Sequence, residues 1–91
     1  MSEQSFREQA KQDGYADPVV MEYEAGAVRD THTHDFAARL FILSGEITVR
    51  TPDRETTCRT GDSGSVAQGE PHSEHTGPEG VRFLVARKQG S

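Results

Sequence analysis

Hydrophobic and polar residues alternate with a period of two along most of this chain, in short runs separated by turn residues. The clearest runs are Ile47 to Arg50 and Val81 to Arg87. A period of two is typical of half-buried β-strands. Further short strands are predicted over residues 18–23, 28–34, 38–43, 55–59, 63–67 and 72–75. Many short strands at nearly regular spacing predict an all-β barrel or sandwich.

The first residues lack this alternation. Ser2 to Asp13 contains neither Gly nor Pro, and Phe6 and Ala10 are one helical turn apart. Ser5 to Glu8 fits a capping box, and Gly14 fits a helix stop. We expect a short helix that docks on the barrel by this thin apolar stripe, the alternative being a frayed tail.

Length and composition predict one small domain. The chain has 91 residues, which we divide into an N-terminal helix or arm over 1–14 and a barrel over 18–87. Only 32% of the residues are hydrophobic, so the core should be thin. Because a second copy would supply additional burial, we expect a homodimer. The interface is predicted to include Phe41, which should point outward from its strand together with Arg39 and Leu43.

Charge and cysteine content exclude several classes of function. The formal net charge is −5, and the basic residues are scattered, so a nucleic-acid surface is not expected. No run approaches the roughly 20 apolar residues of a membrane span, and the N-terminus has no apolar signal segment. The single cysteine, Cys58, fits a reducing compartment. We therefore expect a cytoplasmic location.

The histidines carry the candidate chemistry. His32 and His34 are two residues apart on a predicted strand, so their side chains point to the same face. A third ligand must come from another strand, and His72 is the candidate. Neutral imidazoles suit divalent transition metals such as Zn, Fe, Ni or Mn. One such ion is the predicted cofactor, with its identity open.

The positions of these histidines resemble the two motifs of the cupin superfamily. Gly26 is followed by five residues and then by His32-Thr33-His34, and Gly45 falls at the closing glycine of the first motif. Gly61, Gly69 and His72 fit the second motif. The resemblance covers roughly residues 19–85. It implies an RmlC-like double-stranded β-helix, or jelly roll, with a metal held by three histidines inside the barrel.

The chain departs from the cupin pattern at four positions. Ala67 replaces the proline of the second motif, and Gly64 lies where an apolar side chain is common. Ala38 occupies the place of the usual glutamate ligand, and Thr76 that of a terminal asparagine. The fourth ligand is therefore missing or comes from elsewhere. Alternation puts Glu74, and not His75, on the face of His72, so we expect His75 outside the site. Three neutral imidazoles would leave open positions and uncompensated charge on the ion, which favours a small anionic or chelating ligand.

Three functions follow from these observations. The chain is a metal-dependent enzyme, a non-catalytic barrel that binds or senses a small molecule, or a structural cupin without metal. No general base is placed by a motif, so the sequence leaves the choice between enzyme and binding module open.

Overall fold

The computed structural model describes residues 1–90, which form one helix and six antiparallel strands. The bounds of these elements are α1 Glu3–Gln12, β1 Val19–Tyr23, β2 Val28–His32, β3 Phe36–Thr51, β4 Arg54–Arg59, β5 Ser63–Val66 and β6 His72–Gln89. The all-β jelly roll with a short N-terminal helix is confirmed. The predicted number of strands is wrong. The predicted strands 38–43 and 47–50 are parts of one strand, β3, and 72–75 and 81–87 are parts of β6.

The long strands β3 and β6 pair with each other and organise the whole barrel. The first part of β3 also pairs with β5, and its second part pairs with β4. Likewise, the first part of β6 pairs with β2 and the last part with β1. The strands thus form two four-stranded halves, β2-β6-β3-β4 and β1-β6-β3-β5, which share the two long strands.

Gly45 allows β3 to pass from one half to the other. The β3–β6 register shifts on both sides of it, and its φ is +78°, a value that side-chain-bearing residues rarely adopt. A Cβ atom at this position would collide with the carbonyl oxygen of Gly80, which also has a positive φ. The glycine that closes the first sequence motif is therefore required by backbone conformation and by close strand approach.

The main hydrophobic core lies between the two halves. On β6, Phe83 and Val85 point into it, as the alternation predicts. The core consists of Ala38, Leu40, Ile42, Ile47, Cys58, Val81, Phe83 and Val85. The intervening residues Leu84 and Ala86 are also buried, because a second cluster covers the outer face of the sheet.

Helix α1 forms this second cluster. Phe6 and Ala10 are buried, and the Phe6 ring centroid lies 5.5 Å from that of Phe41. Phe41 points outward from the barrel as predicted, but it is only 5% exposed because the helix of the same chain covers it. The prediction that Phe41 lies in a dimer interface is therefore wrong.

The caps of α1 fix its position on the sheet. The capping box joins Ser2 and Ser5, and not Ser5 and Glu8 as predicted, because the helix begins three residues earlier. At the other end, the Asp13 carboxylate accepts a hydrogen bond of 2.6 Å from the Arg39 guanidinium on β3.

Within residues 1–90, no helix is long and apolar enough to cross a membrane.

Candidate metal centre

His32, His34 and His72 come together at one end of the barrel interior. The ring centroids are 4.8 Å apart for His32 and His34, 4.3 Å for His32 and His72, and 5.0 Å for His34 and His72. His32 ends β2 and His72 begins β6, and the two residues are register partners. Strand pairing therefore brings the two sequence motifs to one place.

Backbone carbonyl groups orient two of the three imidazoles. His32 Nδ1 lies 2.7 Å from the carbonyl oxygen of Asp30, and His72 Nδ1 lies 3.0 Å from that of Glu70. A carbonyl oxygen only accepts hydrogen bonds, so each Nδ1 must carry the proton. In the neutral form of such a ring the lone pair is on Nε2, which in both residues is the nitrogen that faces Glu74. Such hydrogen bonds commonly fix metal-binding histidines.

His34 is held in a different way. Its ring stacks on Phe36, with centroids 4.5 Å apart and planes inclined by 10°. Its backbone carbonyl accepts a 2.8 Å hydrogen bond from the amide of Gly69, which ties the glycine of the second motif to the first. Burial, followed by the influence of His72 and His32, lowers the pKa of His34. The lowered pKa favours the neutral imidazole that a metal requires.

Glu74 adds a carboxylate to the three histidines. Its Oε2 lies 3.2 Å from Nε2 of His72 and 3.7 Å from Nε2 of His32. The sequence placed Glu74 on the face of His72 but did not identify it as a candidate ligand. The signal was its position two residues after His72, on the same side of β6.

The other positions singled out by the sequence have clear places. Ala38 is 6% exposed and lines the cavity beside the histidines, so the usual glutamate position does face the site. His75 is exposed and outside the cluster, as expected. Thr76 is buried, and its hydroxyl has no hydrogen-bond partner among residues 1–90.

The side chains of His32, His34, His72 and Glu74 line part of a cavity of about 130 Å³ between the two halves of the barrel. Tyr23 and Phe83 form part of its wall, with ring centroids 5.2 Å apart in an edge-to-face arrangement. Burial raises the pKa of Tyr23, with a further contribution from the Glu74 charge. The phenol is therefore protonated at neutral pH.

The geometry fits a single transition-metal ion. One ligand atom from each of His32, His34, His72 and Glu74 can be chosen so that all four lie within 4.8 Å of one another. Ligand atoms at roughly 2.0–2.2 Å from one ion lie about 3 to 4.4 Å from one another, so the four atoms are near the spacing that one ion requires. Three imidazole nitrogens and one carboxylate form a group that could bind a divalent ion.

The sequence matches the Cupin domain family over residues 19–87, which is most of the chain and includes all four candidate ligands. The chain belongs to the cupin family. No curated protein matches it at a significant level. The fold and the two histidine motifs of this cupin therefore agree, while the family alone does not specify its ligand.

Solved structures show the same fold. A structural-genomics protein of unknown function from Rhizobium leguminosarum bv. viciae 3841 is 19% identical with a TM-score of 0.77, over 81% of this chain and 70% of that one. The cupin domain of Schizosaccharomyces pombe Cnp3 is 22% identical with a TM-score of 0.72, over 81% and 52%. A deletion mutant of Bacillus subtilis oxalate decarboxylase OxdC is 29% identical with a TM-score of 0.72, over 81% of this chain but only 21% of that one.

Proposed function

We propose that this cupin binds one divalent transition-metal ion through His32, His34, His72 and Glu74, and that the ion and the cavity together bind a small anionic or chelating molecule. The observation that carries the proposal is the convergence of three imidazoles and one carboxylate within 4.8 Å. The hydrogen bonds of Nδ1 in His32 and His72 support it further, because they leave Nε2 of each ring as the nitrogen that can bind a metal.

Glu74 takes the role that Ala38 cannot fill. A glutamate in the first motif would reach the ion from β3, whereas Glu74 reaches it from β6. With Glu74 the ligand set carries one negative charge, so a divalent ion would retain a charge of about +1 and attract an anion. Four protein ligands would leave coordination positions open on an octahedral ion, and the bound ion would supply a Lewis acid there.

The cavity favours binding over acid–base catalysis by the protein itself. Glu74 is the only carboxylate among the described residues that line it, and the proposal assigns that group to the metal. Tyr23 has a raised pKa, so its phenol is protonated near neutral pH and is not available as a general base. The similarity to oxalate decarboxylase, an enzyme named for a small organic acid, agrees with an anionic ligand.

Metal titration of protein purified without a histidine tag tests the proposal. Calorimetry and elemental analysis should give about one ion per chain. His72→Ala should abolish stoichiometric binding, and so should His32→Ala, which changes a less buried residue. The matched control is His75→Ala, because His75 is exposed and outside the cluster. Full metal content in folded His72→Ala and His32→Ala proteins would contradict the assignment.

A further inference from the structure

Two arginines that line the cavity beside the histidines are the only ones among residues 1–90 without a carboxylate partner. Six of the eight arginines lie within 4.0 Å of a carboxylate oxygen, and these are Arg7, Arg39, Arg50, Arg54, Arg59 and Arg82. Arg29 and Arg87 have no such partner among residues 1–90, and both line the cavity. Arg87 is half-buried in the cavity wall, whereas Arg29 is exposed at its edge. An arginine without a carboxylate partner at a cavity is a ready site for an anion from outside.

The register of the strands places Arg87 beside the position of the missing glutamate. Arg87 on β6 is the direct cross-strand partner of Ala38 on β3, so the two side chains share the inner face of the sheet. A glutamate at position 38 would lie next to this guanidinium. Ala38 leaves that volume free, and Arg87 consequently has no carboxylate neighbour there.

Aromatic rings hold both guanidinium groups at the cavity. The Arg87 guanidinium carbon lies 5.5 Å from the ring centroid of Phe36, which also stacks on His34. The Arg29 guanidinium carbon lies 4.5 Å from the ring centroid of Tyr23, and Arg29 is the cross-strand partner of Glu74. Such contacts position a cation without neutralising it.

The charge of the cavity is opposite to that of the chain. Its lining contains two guanidinium groups and one carboxylate, which gives +1 with neutral histidines, whereas the whole chain has a formal charge of −5. A cleft that concentrates charge of one sign attracts ligands of the other sign.

We propose that Arg87, with Arg29, binds the carboxylate of a small organic acid in the space left by Ala38, while the other end of the acid reaches the metal position. The metal end of this proposal rests on the proposed function. The cavity of about 130 Å³ limits the size of the acid. An engineered cavity of about 150 Å³ accepts benzene, so a ligand of about six to eight non-hydrogen atoms is expected.

Malonate is a suitable probe, and its neutral diamide, malonamide, is the size-matched control. Calorimetry or NMR titration of metal-loaded and metal-free protein should show that malonate binds more tightly than malonamide. Arg87→Gln and Arg29→Gln should each weaken malonate binding about tenfold and leave malonamide binding unchanged. Arg82→Gln is the matched control variant, because Arg82 lies on the same strand but pairs with Glu22 on the surface. Ala38→Glu should abolish malonate binding by filling the free space.

The proposal is overturned if wild-type protein fails to bind malonate, if malonamide binds as tightly, or if the Arg29→Gln, Arg87→Gln double variant binds malonate as wild type does. An equal loss in Arg82→Gln would overturn it as well. Metal content, measured separately, decides the proposed function. If the wild type binds no metal, the proposed function fails, while the comparison of wild type and double variant in metal-free protein still decides the role of the arginines.

Discussion

The proposed role of Glu74 as a metal ligand can be tested by moving the carboxylate to position 38. Glu74→Ala removes the only carboxylate of the described cavity lining, which lies 3.2 Å from His72 and 3.7 Å from His32. Adding Ala38→Glu to this variant restores a carboxylate from the neighbouring strand, β3. The cavity of about 130 Å³ has room for the longer side chain.

The expected magnitude follows from the position of Glu74 in the cluster. Loss of a group that only supports a metal ligand typically lowers affinity 10–100-fold. Glu74 would contact the ion directly, so its loss should lower affinity by about 100-fold or more, which corresponds to about 2.7 kcal/mol. The double variant should recover most of this loss, because it has the same donor atoms around the ion.

Competition with a chelator of known affinity measures these changes in Kd. Glu22→Ala is the matched control, since it removes an exposed carboxylate that pairs with Arg82 and is not part of the cluster. The reasoning is refuted if Glu74→Ala binds metal as tightly as wild type. A double variant no better than Glu74→Ala would show that position 38 does not face the ion.

Three further predictions concern the fold and assembly. Phe6→Ala should lower the free energy of unfolding by about 3–5 kcal/mol, because the ring is 3% exposed; a loss below about 1 kcal/mol in urea denaturation would contradict the docked helix. Hydrogen bonds from Gln9 and then Arg39 lower the pKa of Asp13, so its contribution should be full above about pH 4 and lost as pH falls through the lowered pKa. Asp13→Asn should therefore lower the free energy of unfolding at pH 6, and this loss should shrink as pH falls through the lowered pKa. A loss in urea unfolding curves that does not change with pH would contradict this. We also propose a homodimer through edge strand β1, where Val20 is 47% exposed. Light scattering should give about twice 10.0 kDa for wild type and a lower mass for Val20→Glu, whereas a wild-type monomer would refute it.

Alternation along the strands predicted which side chains face the cavity. His32, His34 and Ala38 all line it, because a period of two fixes the face of each residue once one member is known. The same rule placed Glu74 beside His72. Alternation did not identify Glu74 as a ligand, because it shows which face a side chain is on but gives no distances between atoms. The 3.2 Å distance between Glu74 Oε2 and His72 Nε2 is known only from the structure.

Contacts between distant parts of the chain could not be predicted in the same way. The outward direction of Phe41 was predicted correctly, but alternation cannot show that Phe6 of the same chain covers it. Similarly, the special status of Arg87 depends on its pairing with Ala38, which is 49 positions earlier in the sequence. Long-range register decides both cases, and local sequence patterns do not encode it.

Anomalous diffraction at the absorption edge of the bound metal tests the central claim most directly. Crystals of metal-loaded protein purified without a histidine tag should show one peak per chain, bonded to His32, His34, His72 and Glu74 at about 2.0–2.2 Å. A peak at the exposed His75, or no peak in protein loaded with stoichiometric metal, would contradict the account.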